Sequence, residues 1–384
     1  MDTNIELQKR GCTKFPGKLM VTLTCIIFLT ISCNGNRTTH TPGLVQSSPT
    51  VPPLAPPTVD AREADPTPPV QQNIWCDRPY SETSIWNSPI NWEKAKIHPQ
   101  SDLMMAAFFR DNQWIGSDTS QYAPNIYLVS NATPLVPVEL QDVSFRDAID
   151  DVEIHYGERG GTVWMPLPIG ARPSRGTDGQ LAVVNLDTGE EWGLNKGFVD
   201  SNGNWTAGGA YRYHIENSGV PPEGFAQRGA GIGQLAGIVR PCEVERGRIG
   251  HAVTLAYDYP CIPEVCASNG WPAVIPPFTK TDGRGVSTFD IPEGARIVIR
   301  PEISAEEIRL ACQDVKGCIT WALTMQEYGG FVVDDGGHPK TYAEGDGTAN
   351  WDPKVWSSDM LRFIPQDWYA VLDWNSPFAV VPPG

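Results

Sequence analysis

The chain has 384 residues, 35 of them proline and 37 glycine, which makes long helical bundles and coiled coils poor candidates for its main architecture. A formal net charge of −16 removes the attraction to phosphate backbones on which nucleic-acid binding depends, so no nucleic-acid partner is expected. With 40% hydrophobic and 19% charged residues, the sequence still has enough apolar material for a sizeable core.

The chain opens on a basic segment, Lys9, Arg10, Lys14 and Lys18, followed by an uncharged apolar run from Leu19 to Ser32. That run is too short to span a bilayer comfortably and reads as a signal peptide over residues 1–32. Its end, Leu29-Thr30-Ile31-Ser32-Cys33, resembles the lipobox of bacterial lipoproteins, which implies that Cys33 is lipidated and that the membrane is reached only through this anchor. The alternative is an ordinary signal with an incidental cysteine. Residues 33–72 are rich in Pro, Thr and Ser and lack an apolar period, so they form a spacer. At about 3.1 Å per residue the spacer reaches on the order of 100 Å. Loss of residues 1–32 removes four bases and two acids, leaving a charge of −18.

Residues 73–384 are expected to form a single β-rich globular domain, because apolar runs there are short and bounded by turn residues. The strand candidates are Thr162 to Met165, Leu181 to Leu186, Ile238 to Arg240, His251 to Tyr257, Ala295 to Ile299, Phe331 to Val333 and Trp368 to Leu372. Asp187-Thr188-Gly189-Glu190 reads as a hairpin turn into Glu191 to Leu194, and Asp200 to Trp205 as a further turn. Two helical segments are expected, Met104 to Arg110 and Ser304 to about Tyr328. The second starts with a Ser304/Glu307 capping box, breaks near Gly317 and stops at Gly329-Gly330. The fold class is therefore mainly β, a β-sandwich or jelly-roll-like double sheet with one packed helical segment. The six cysteines beyond Cys33 suit an oxidising compartment: Cys261 with Cys266 and Cys312 with Cys318 are close in sequence, which by elimination leaves Cys76 with Cys242.

The blocks from Asp178-Gly179-Gln180 to Trp192, Leu235 to Arg240, Gly247 to Ala252, Ile291 to Arg296 and Tyr328 to Gly337, with the tail from Trp351 to Asp373, resemble an uncharacterised family of exported, β-rich bacterial proteins. The resemblance covers roughly residues 80 to 373. It implies secretion and a β-rich domain, and no particular activity.

The residues themselves suggest carbohydrate chemistry. Glu243 and Glu245 would share one face of a strand, and Glu243, His251, Asp334 and Asp335 sit at apparent strand ends, where a cleft recruits catalytic groups. Arg240 and the aromatic residues Trp205, Tyr211 and Tyr213, in what reads as Gly-rich loop, would bind substrate by charge and by stacking on sugar faces. The expected function is an exported, surface-tethered glycoside hydrolase acting on a polysaccharide or oligosaccharide through carboxylates. A polysaccharide lyase using His and Tyr and a non-catalytic glycan-binding or structural lipoprotein are the alternatives. No cofactor is expected, although Glu344, Asp346 and Asp352 have oxygen-ligand spacing suggestive of calcium. Signatures of the common serine hydrolases, zinc proteases and nucleotide-binding enzymes are absent. The leader yields a direct expectation: Cys33→Ala moves the protein from the membrane to the soluble fraction, and retention at the membrane without lipid refutes the anchor.

Overall fold

The computed structural model describes Cys76 and residues 78–141, 145–149, 152–154, 161–222 and 228–376, all within a unit that runs from Ala64 to Gly384. The leader, Cys33 and the proline-rich spacer lie outside the described residues. Helix α1 (Ser101–Phe108) precedes strands β1 (Gly116–Asp118), β2 (Asn125–Val129), β3 (Leu135–Leu140), β4 (Phe145–Asp147), β5 (Val152–Ile154) and β6 (Gly161–Pro166). Strands β7 (Leu181–Asn185), β8 (Glu190–Asn195), β9 (Phe198–Val199), β10 (Trp205–Ala207) and β11 (Gly209–His214) follow. Helix α2 (Pro241–Arg246) then leads to β12 (Val253–Tyr257), and α3 (Pro263–Ser268) to β13 (Arg296–Ile299). Helices α4 (Ala305–Ala311) and α5 (Lys316–Glu327) come before β14 (Gly330–Asp335), β15 (Lys340–Tyr342) and β16 (Tyr369–Val371).

The fold is β-rich, with three mixed sheets instead of a double sheet. A first sheet has the order β1-β15-β12-β14-β13-β16, a second β2-β7-β8-β11-β4-β5, and a third, four-stranded one β6-β3-β10-β9. Strand β7 shows how they stack, because its alternate side chains enter different cores. Leu181 and Val183 pack with Val138, Met165 and Trp205 of the four-stranded sheet. Ala182 and Val184 pack with Ala256 and Tyr342 of the first sheet. The second sheet is therefore covered on both faces, which is why β7 is buried throughout and apolar from Leu181 to Val184, without polar alternation. On the far face of the first sheet, Val253, Leu255 and Tyr257 meet Met104 and Phe108 of α1, Ile308 of α4 and Trp321 and Met325 of α5. Full burial of each such side chain contributes roughly 1.5–3 kcal/mol.

Local chemistry explains where the sequence pattern holds and where it misleads. Strands β7 and β8 form the expected hairpin, with Gly189 at φ 74° in the turn. Ser304 and Glu307 make their capping box at the start of α4. The break in that helical stretch comes before Gly317, at Gln313 and Asp314, both with positive φ. Gly317 lies inside α5, where an added Cβ would meet the Val355 carbonyl oxygen at 2.1 Å. The segment around Glu243, expected as strand, is the helix α2. Pro241 fixes its first turn, the Glu243 carboxylate accepts the Arg240 N–H at 2.9 Å, and Gly247 closes it with φ 76°. Glu243 and Glu245 consequently share no strand face: the first is buried and the second exposed. Ile238 to Arg240 contributes only the isolated bridge from Val239 to Ala343.

All three expected disulfides are present, with Cα–Cα distances of 6.0 Å for Cys76–Cys242, 5.8 Å for Cys261–Cys266 and 5.5 Å for Cys312–Cys318. They are compatible with an exported protein. Among the described residues no helix is long and apolar enough to cross a membrane. The Cys76–Cys242 bridge spans 166 positions and so constrains the unfolded chain most. Replacing both of its cysteines by serine is expected to lower the unfolding free energy by about 2–5 kcal/mol in urea titrations; unchanged stability would refute its structural role.

Candidate functional site

Three segments distant in sequence meet where the first and second sheets adjoin. The loop after β1 carries Tyr122, and Asp118 pins its turn by accepting the backbone N–H groups of Ser120, Gln121 and Tyr122. The loop before β7 carries Asp178 and is tied to the first by Arg175 N–H to Ser120 and Gly176 N–H to Gln121. Gly176 is required there, since a Cβ would meet the Gln121 carbonyl oxygen at 2.3 Å. The third segment is the end of β14, the turn Gly336-Gly337 and β15, which supplies Asp335, His338, Lys340 and Tyr342. Together these residues line a cavity of about 430 Å³.

Its charges are unevenly compensated. Asp334, just behind the cavity, is fixed by the buried Arg228, whose guanidinium donates to it at 2.7 Å, and by the Gly229 N–H at 2.7 Å. Asp335 has one oxygen 2.8 Å from the Arg284 Nε, while its Oδ1 is buried without a hydrogen-bond partner. Desolvation, helped by Asp282 and Asp258 and opposed by Arg284, pushes this carboxyl up to about 6. Lys340 is only 3% exposed, with its ammonium 4.9 Å from the Tyr122 ring centroid and 6.0 Å from that of Tyr342. Burial lowers its pKa, against the pull of Asp118, Asp334, Asp178 and Asp258. Desolvation and the neighbouring Lys340 lower that of His338, which favours the neutral imidazole at pH 7.

Glu243 and His251, expected at a cleft, do meet, with His251 Nε2 3.0 Å from Glu243 Oε1, but neither lines this cavity. They are 3% and 1% exposed, and the equally buried Arg240 lies 3.3 Å from the same carboxylate oxygen. Burial alone would raise the Glu243 pKa, yet Arg240 and His251 outweigh it and bring the group down to about 2. The neighbouring Glu344, buried but less well compensated, is pushed up to about 7 by desolvation.

The aromatic residues expected to stack on sugars are strand residues with buried rings, not loop residues. Trp205 packs between the second and four-stranded sheets, and Tyr213 lies in the core with Tyr80. Tyr211 stands opposite Gly193 in the register, where any Cβ would strike its ring. That passage lets its hydroxyl donate to the buried Glu191 at 2.5 Å. Among the described residues no group of three or more His, Cys, Asp or Glu is placed to hold a metal. Of the residues with calcium-like spacing, Glu344 is buried, Asp346 pairs with Arg175, and Asp352 is exposed.

Of the residues singled out in the sequence, only Asp335 lines the cavity. Tyr122, Asp178, His338, Lys340 and Tyr342 emerge from the fold. No local pattern in the sequence marks them: β15 reads Lys340-Thr341-Tyr342, without an apolar run, and only its burial in the structure sets it apart. No family model, curated protein or solved structure matches the chain.

The Glu243 cluster has a pH signature. With its pKa held below the ordinary 4.5, its stabilisation is complete above about pH 4.5 and is lost as pH falls through about 2. Glu243→Gln is expected to cost about 3–5 kcal/mol at pH 7 by removing the carboxylate that compensates the buried Arg240 guanidinium, with the deficit shrinking below pH 4 in denaturation curves. Unchanged stability with abolished turnover would instead make Glu243 catalytic.

Proposed function

We propose that this chain is an exported glycan-degrading enzyme, a glycoside hydrolase tethered at the cell surface through Cys33, with its active centre in the cavity of Asp178 and Asp335. The observation that carries the reading is Asp335, a cavity-lining carboxyl with one oxygen unpartnered and its proton held up to about 6. A carboxyl protonated near working pH is what protonation of a glycosidic oxygen requires, and Asp178, in the same cavity, supplies the second carboxylate. The half-buried Tyr122 ring offers an apolar face for a sugar.

A lyase reading has its own support. A neutral His338 beside Lys340 and Tyr342 has the chemistry of a base next to a charge-stabilising cation. Reducing-end release from a set of polysaccharides, read together with absorbance from a new C=C bond, separates the two. Hydrolysis without the C=C signal is expected. Asp335→Asn is expected to lower turnover at least about a hundredfold with folding intact. Wild-type kcat/KM is expected to fall above about pH 6 as Asp335 loses its proton. An Asp335→Asn protein of undiminished activity refutes the assignment, and a C=C signal replaces it with the lyase.

A further inference from the structure

We infer that Lys340 is the recognition point for an acidic substituent of the glycan, so that the cavity accepts polymers bearing uronic acid carboxylates or sulfate esters in preference to neutral ones. The inference rests on the glycan-degrading reading of the same cavity and names its substrate class.

Lys340 is 97% buried, yet among the described residues no hydrogen bond and no ion pair within 4.0 Å engages its ammonium. Its close neighbours are the rings of Tyr122 and Tyr342, which attract a cation but accept no conventional hydrogen bond. An ammonium carries three donors, and with no carboxylate or carbonyl of the described residues bonded to them they face the cavity.

The surrounding carboxylates do not fill that role. Asp334 is engaged by Arg228 and the Gly229 N–H, and Asp335 by Arg284. Asp118 spends its oxygens on three backbone N–H groups. Asp258 and Asp178 act on Lys340 only from beyond salt-bridge distance. Each of these carboxylates is thus either engaged by another group or beyond 4.0 Å, and the ammonium stands on the wall of a cavity of about 430 Å³, within the range of small-molecule sites. Gly336 leaves room for the Lys340 stem against the neighbouring strand: a Cβ there would meet Ala256 Cβ at 2.5 Å and Lys340 Cε at 3.2 Å. A carboxylate or sulfate oxygen reaching this position forms a charge-assisted bond, roughly twice as strong as the bond a sugar hydroxyl would form.

Calorimetric titration of Asp335→Asn, which binds without turnover, is the test. The probes are oligomers of galacturonate, glucuronate and mannuronate, each beside its carboxyl-reduced form, and a sulfated oligosaccharide beside its desulfated form. At least one acidic probe is expected to bind tenfold or more tightly than its neutral counterpart, and the responding arm tells carboxylate from sulfate. Adding Lys340→Met is expected to erase the preference, while Lys340→Arg retains most of it, with folding checked by thermal melting. Equal binding within every pair, failure of every acidic probe to bind, or a preference that survives in folded Lys340→Met overturns the inference. If Lys340→Met does not fold, the acid-to-neutral ratio of the Asp335→Asn protein decides alone. Acid preference without product from any glycan defeats the hydrolytic reading and spares this one; product from neutral glycans without acid preference does the reverse.

Discussion

The arrangement around the cavity depends on one buried guanidinium. Arg228 donates to Asp334 at the end of β14 at 2.7 Å, reaches Gln180 ahead of β7 at 3.2 Å, and lies 4.4 Å from the Tyr342 ring centroid of β15. One side chain thus joins the second sheet to two strands of the first, in the segments that surround the cavity. Burial of such a charge is unfavourable by itself and becomes tolerable only when its partners are held in place. The need to satisfy Arg228 accordingly fixes the spacing of the loops that carry Asp178 and Asp335.

Two kinds of buried charge sit in the same molecule and serve different ends. Around Glu243, carboxylate, guanidinium and imidazole compensate one another, and the helix start they cap is sealed from solvent. Around Lys340 and Asp335, compensation is incomplete, with one Asp335 oxygen buried without a partner and no ion pair at Lys340 among the described residues, and both residues line the cavity. A shifted pKa alone does not separate the two, since Glu344 is pushed up to about 7 without lining the cavity. Incomplete pairing combined with access to a cavity is the more selective mark of a site.

The parts of the fold legible in the sequence are those set by neighbours along the chain. The β7–β8 hairpin follows from its Asp-Thr-Gly turn, the start of α4 from Ser304 and Glu307, and the bridges from cysteine spacing. Helix α2 was open to the same logic, through Pro241 at its start and Gly247 at its end, but six residues are too few for an apolar period to show. Tyr211 misleads because glycines suggest a loop, whereas Gly193 on the partner strand is there to let the ring cross. The cavity itself was illegible: its walls come from three segments brought together by sheet stacking, and β15 is three residues long. Nothing local marks Lys340 as unsatisfied until Asp334, Asp335 and Asp118 are seen to be engaged elsewhere.

The disulfide pattern carries a consequence for biogenesis. Cys76 joins Cys242, Cys261 joins Cys266, and Cys312 joins Cys318, so every bridge links a cysteine to the next one along the body of the chain. A polypeptide that emerges N-terminus first into an oxidising space presents these thiols in pairing order, each partner arriving before any later competitor. One connectivity out of the 15 open to six cysteines is then reached by order of arrival, without the slow reshuffling that crossed pairings demand. Acylation of Cys33 would withdraw an earlier thiol that could otherwise capture Cys76.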